Sequence, residues 1–129
     1  MLEGFSSLIN ISSIYGKVSP DPAIYNKDIQ MNPLLYGCMK AALIQSSKYL
    51  SSILSESNIR VNSVSFGPFP SEKTINENQL FIKELSKKTH LKRIGKAKES
   101  VGIIKFLLSE ESSFITGADI PVDGGWTAW

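Results

Sequence analysis

Tyr36 and Lys40 are the residues whose types and spacing suit proton-transfer chemistry. Four apart on a helix, they project from one face, one turn from each other. A free tyrosine loses its proton at about pH 10. A cation beside it favours the phenolate, and a tyrosine so placed can act as a general acid or base. The same spacing also fits a solvated lysine beside a half-buried tyrosine. A second candidate is the pair Ser12 and Ser13, which ends the short apolar run Leu8 to Ile11. In open parallel α/β sheets, ligands bind outside the carboxyl ends of strands, where a reactive serine would belong. Turn formation is the other reading of two adjacent serines.

The elements that must position these groups follow from local pattern. Asn32 followed by Pro33 marks a helix start, with the asparagine side chain as cap and proline in the first turn. The helix is expected to run from Pro33 to about Ser55. Met39, Leu43, Leu50, Ile53 and Leu54 fall on one side of it and are expected to face the core. A second, partly apolar side carries Cys38, Ala41, Ala42 and Tyr49, which one sheet cannot cover as well. Leu8 to Ile11, Ile59 to Val64 and Ala118 to Val122 read as strands. Phe66, Gly67 and Pro68 turn out of the second. Glu72 to about His90 reads as loop plus a short amphipathic helix, with Leu80, Phe81 and Leu85 on its apolar side. A further helix is expected from about Lys98 to Leu108, with Val101, Ile104, Leu107 and Leu108 facing the sheet. Asp123, Gly124 and Gly125 form a tight turn whose role is structural.

Composition narrows the class. The chain has 129 residues, 42% hydrophobic and 20% charged, with a formal net charge of +2. It reads as one globular domain at most. So small a charge argues against nucleic acid, and the lysines between 83 and 98 read as a solvated helix face without interleaved aromatics. Cys38 is the only cysteine and His90 the only histidine. No internal disulfide is possible, no familiar zinc site can be built, and a reducing cytoplasm fits. No metal is expected. No apolar run has the length of a membrane span, and no signal segment is recognisable at the start.

Taken together, four stretches carry a resemblance: Leu8 to Ser13, Asn32 to Lys40, Ile59 to Pro68, and Ile115 to Gly125. In this order and at these distances they resemble the C-terminal half of a short-chain dehydrogenase/reductase, from about Leu8 to the end. The resemblance implies an α/β fold, an incomplete Rossmann-like parallel sheet made of the last three strands with flanking helices. The single partial domain, residues 1–129, would lack the N-terminal dinucleotide-binding half. The glycine-rich phosphate loop of such enzymes is not recognisable here. The first strand would then present an unpaired edge.

The resemblance also implies roles. Tyr36 would be the proton donor or acceptor, Lys40 would assist it and hold the ribose, and Ser13, supported by Ser12, would orient the substrate oxygen. NAD or NADP would be the cofactor, with Gly67, Phe69 and Ser71 beside the nicotinamide. The family usually has Pro-Gly where this chain has Phe66 and Gly67, with Pro68 one later. Ser71 stands where the family has threonine. The Glu72–His90 region would be a substrate lid. The loop from Tyr15 to Met31 is longer than in most members by roughly ten residues, and long loops of this kind tend to be functional. It is expected to fold over the substrate end, and it resembles a subgroup associated with bacterial surface-polysaccharide and flagellin-sugar modification. Partners implied are a small-molecule substrate and a second copy of the chain, paired through the Tyr36 helix. The alternative is a non-catalytic remnant or interaction module that keeps the pairing helix without turnover.

Overall fold

The computed structural model describes residues 6–129. Three parallel strands form one sheet in the order β1 (Ser6–Ser13), β2 (Ile59–Phe66), β3 (Asp119–Val122). β1 and β2 pair from Ser6↔Ile59 to Ser13↔Phe66, and β2 pairs with β3 from Ser63↔Asp119 to Phe66↔Val122. The central strand is the most deeply buried, with Val61 and Val64 fully covered. The expected Rossmann-like arrangement of three parallel strands with flanking helices is what the chain forms. β1 runs two residues further than its apolar run, so Ser12 and Ser13 are its last residues rather than a turn beyond it. β1 lies at the edge of the described sheet, with Leu8 and Ile11 exposed.

Helices cover both faces. The long helix α1 (Leu34–Leu54) lies on the face to which Asn10 and Ser12 point. The Asn10 amide donates to Ser47 Oγ at 2.9 Å, and the Ser12 hydroxyl donates to the Lys40 carbonyl at 2.8 Å. Side chains alternate along a strand, so Ser7 points to the opposite face, where its hydroxyl donates to the Leu107 carbonyl at 2.7 Å. Leu107, fully buried, belongs to the last of the helices, at 99–108.

Two expectations about α1 are corrected. Asn32 does not cap it: Pro33 occupies the cap position and no side chain caps the first turn. The inward face is only partly the expected one: Leu43, Leu50 and Leu54 are half-buried, but Met39 is 60% exposed and Ile53 53% exposed, whereas Ser47 is fully buried. On the sheet under α1, Asn10 and Ser12 join the helix through their hydrogen bonds to Ser47 and the Lys40 carbonyl.

Between β2 and β3 the expected single lid helix is two: α2 (Glu72–Glu77) and α3 (Gln79–Lys88), broken at Asn78, whose φ of −134° is not helical. Phe81 and Leu85 are buried as expected, but Leu80 is 66% exposed. In α4 (Glu99–Leu108), Val101 and Leu108 are exposed too, at 47% and 58%. Residues 15–31 are tied down rather than extended. Ile24 from this loop joins Ile14, Phe81, Leu85 and Trp126 in a small apolar core. An ion pair from Asp21 to Lys88 ties the same loop to α3. Among the described residues no helix is long and apolar enough to cross a membrane.

Candidate active site

The carboxyl ends of β1 and β2, the first turn of α1 and helix α3 line a cleft of about 200 Å³. Ser13 and Tyr36 both line it, as do Gly67 and Phe69. Ser13 is 93% buried at the end of β1. Its Oγ accepts from the Tyr15 N–H at 3.2 Å, which fixes the serine while leaving its own proton free to donate. Tyr36 stands half-buried one turn into α1.

Lys40 does not line the cleft. Its Nζ donates to the Ile11 carbonyl at 2.8 Å and lies 5.5 Å from the centroid of the Tyr36 ring. It therefore puts a positive charge beside the tyrosine from behind. Gly67 lines the cleft, but its bareness serves the protein: a Cβ there would lie 2.6 Å from the Cα of Asp123. That close approach seats the C-terminal turn against the end of β2. Phe69 packs edge-on against Phe66, ring centroids 5.4 Å apart. Ser71 is not among the lining residues. It caps α2, its Oγ accepting from the Thr74 N–H at 3.2 Å.

Several lining residues had no role in the sequence reading. Tyr15 and Tyr25 line the cleft, their hydroxyl oxygens 2.7 Å apart. Burial, then the hydrogen bond with Tyr25, holds the Tyr15 phenol well above its ordinary range, so it stays protonated. Phe81 and Trp126 add two more rings. The signal for Tyr15 was its place two residues after Ser13. Trp126, after the Asp-Gly-Gly turn, gave none.

Behind the site, Asp119 Oδ1 accepts from the Ser63 and Ser65 hydroxyls, each at 2.7 Å. Its other oxygen pairs with Lys17 Nζ at 3.0 Å. This ties the turn that follows Ser13 to the far strand. No group of three or more His, Cys, Asp or Glu able to hold a metal is present among the described residues.

The sequence profile of the family described as enoyl-(acyl carrier protein) reductase matches residues 1–127. The chain belongs to the short-chain dehydrogenase/reductase family. It is 32% identical over 124 residues to the post-translational flagellin modification protein A of Campylobacter coli, covering 96% of this chain and 47% of that protein. It is 33% identical over 129 residues to the NADH-dependent L-xylulose reductase of Ambrosiozyma monospora, covering 96% of this chain and 44% of that one. The crystal structure of a short-chain dehydrogenase from Leptospira borgpetersenii with bound NAD+ superposes with a TM-score of 0.83 at 36% identity, over 94% of this chain and 44% of that chain. The chain thus spans about half the length of these relatives. Their names point to different reactions, so no subgroup of the family is singled out.

Proposed function

We propose that this short-chain dehydrogenase/reductase segment carries the proton-transfer half of a nicotinamide-dependent oxidoreductase that interconverts a carbonyl and an alcohol. The observation that carries the reading is the convergence of Ser13 and Tyr36 on one cleft. Tyr36 is assigned the proton, given to or taken from the substrate oxygen. Ser13 donates a hydrogen bond to that oxygen and orients it. Lys40 supplies positive charge behind the Tyr36 ring.

NAD or NADP is the cofactor proposed, as in the Leptospira relative with bound NAD+. It would supply or accept the hydride. The donor set fits its uncharged end: hydroxyls from Ser13 and Tyr36, with Gly67 and Phe69 leaving room and apolar surface. Its pyrophosphate finds no charged residue among those lining the cleft. Ser71, the third nicotinamide contact expected from the resemblance, caps α2 and is not among the residues lining the cleft. The sugar-related substrate suggested by the long loop also belongs to this reading. One relative named for L-xylulose supports it. A reducing cytoplasm and pairing of two copies through α1 complete the proposal.

The deciding experiment is Tyr36→Phe in the enzymatically competent assembly that contains this chain. Loss of the hydroxyl alone should cut the hydride-transfer rate by about 10²–10⁴-fold with cofactor affinity nearly unchanged. Turnover within about tenfold of the parent would remove Tyr36 from the role.

A further inference from the structure

We infer that the cleft selects a neutral, hydroxyl-bearing ring at its reacting end and discriminates against carboxylates and phosphates. The inference deepens the oxidoreductase reading and rests on it for the reacting carbonyl. Its first support is charge. None of the residues lining the cleft is Asp, Glu, Lys, Arg or His. Recognition of a carboxylate or phosphate in a partly desolvated site calls for a cation or several aligned N–H donors. Of the cations on the surrounding elements, Lys40 donates to the Ile11 carbonyl, and Lys17, Lys88 and Arg93 pair with Asp119, Asp21 and Glu99. An anion in the cleft would give up water for uncharged walls.

The second support is the chemistry of those walls. Tyr25 and Phe81 stand with ring centroids 5.5 Å apart at 46°, and Trp126 is 92% buried beside them. Such faces pack against the C–H surface of a small ring. Polar contacts come from the Tyr15–Tyr25 hydroxyl pair and from Ser13, Asn32 and Tyr36, which also line the cleft. In such a pair one proton is shared internally, leaving one O–H donor and free lone pairs. A ligand hydroxyl, both donor and acceptor, satisfies that set. A carboxylate only accepts: it could take hydrogen bonds from neutral hydroxyls and the Asn32 amide, but it would meet their lone pairs as well and no positive charge. Tyr15, held protonated by its burial and by Tyr25, cannot offer the site a charge of its own.

The test compares 3-hydroxycyclohexanone with 3-oxocyclohexanecarboxylate at pH 7. Both are titrated into the unaltered chain and followed by NMR at the Trp126 indole N–H and the Tyr25 and Phe81 rings. The neutral ketone should shift those signals, and the anion should bind at least about tenfold more weakly. Tyr25→Phe, which keeps the ring, should weaken the neutral ligand by roughly three- to tenfold without improving the anion. An anion that binds as tightly as the ketone would overturn the inference. So would shifts confined to other parts of the chain, or no shift with either compound. If Tyr25→Phe does not fold, the two probes on the unaltered chain still decide. Preference for the neutral ring without hydride transfer in the competent assembly would sink the oxidoreductase reading and leave this one. Hydride transfer restricted to the anionic ketone would do the reverse.

Discussion

The Lys40 ammonium donates to the Ile11 carbonyl at 2.8 Å while lying 5.5 Å from the centroid of the Tyr36 ring. One side chain therefore joins the proposed proton donor to the edge strand that ends in Ser13. Lys40→Met should do two things at once. It removes the positive charge behind Tyr36, lowering turnover, and it leaves the Ile11 carbonyl without its charged donor. At this half-exposed position the bond contributes less than about 1.5 kcal/mol. Amide exchange at Ser12 and Ser13 should accelerate while β2 stays protected. Unchanged exchange along β1 would show that the contact does not hold the strand.

Phe69 owes its place to Gly95. A Cβ on Gly95 would meet the Phe69 ring at 2.5 Å, and the Gly95 N–H donates to the Pro68 carbonyl at 2.9 Å. Gly95→Ala should therefore push the ring off Phe66 and toward the cleft. The clashing atoms are the far end of a movable side chain, so the overpacking cost should stay near about 1 kcal/mol. Ligand affinity should fall by more than stability does, and Phe69→Leu in the same chain should restore it. Equal losses of thermal stability and affinity that Phe69→Leu does not repair would mean the backbone, not the ring, had moved.

Acid should loosen the C-terminal turn. Asp123 accepts from the Gly125 N–H at 2.9 Å, the Thr127 N–H at 2.9 Å and the Thr127 hydroxyl at 2.7 Å. Burial, the largest single influence, raises its pKa. The Thr127 hydroxyl, these N–H groups and the nearby Lys17 together outweigh it, so the carboxyl titrates below its ordinary value. Below about pH 3.9 the unfolded chain binds the proton more readily than the folded one, so stability rises with pH in that window. The contribution is complete above it and lost as pH falls through the folded value. Glu99, brought to about 2 by its Arg93 partner and the Lys96 N–H, and Asp21, lowered by Lys88, act in the same direction. Urea unfolding should give a stability that is flat above about pH 5 and falls below pH 4. Asp123→Asn should cost about 1–2 kcal/mol at pH 7 and lose less on acidification. An acid limb of unchanged steepness in that variant would place the proton uptake elsewhere.

Strand pattern and turn chemistry made the sheet legible: three short β-rich runs, each followed by Ser, Gly or Asp positions, gave strands and the ends at which a site can form. Ser13 and Tyr36 could be singled out only with the family resemblance: position alone left the two serines open to a turn role, and the Tyr36–Lys40 spacing also fitted a solvated lysine. The rotation of α1 was legible only in part: Leu43, Leu50 and Leu54 turn inward as expected, Met39 and Ile53 do not. Leu43, Met39 and Ile53 are similar in hydrophobicity, and the helix is apolar on more than one side. The choice between sides is made by Asn10 and Ser12 on the sheet, and hydrophobic periodicity is blind to a polar interface. The aromatic wall was hidden for a different reason. Tyr25, Phe81 and Trp126 are far apart in sequence, and only the docking of residues 15–31 onto α3 brings them together. Ser71 illustrates the converse: its position matched a family motif, while its side chain caps α2 and is not among the residues lining the cleft.

The side of α1 turned from the sheet remains apolar. Leu35, Met39 and Ala42, then Tyr49 and Ile53, recur at intervals of three and four residues within each group, with Gln45 and Ser46 between the groups, and all five apolar residues are exposed, Tyr49 to 69%. Each half of that stripe has the spacing of a helix seam. A second copy of the same helix is a self-complementary cover, because a two-fold pairing sets each residue of the stripe against its counterpart. The chain should therefore self-associate through α1. Tyr49→Glu, nearer the middle of the stripe than Ile53, should place like charges together across the axis and shift the protein toward monomer. Ile53→Glu, one turn on, should weaken the association less if it lies farther from the axis. Sedimentation equilibrium at tens of micromolar reads both. A monodisperse monomer for the unaltered chain, with Tyr49 fully accessible to iodination, would sink the pairing.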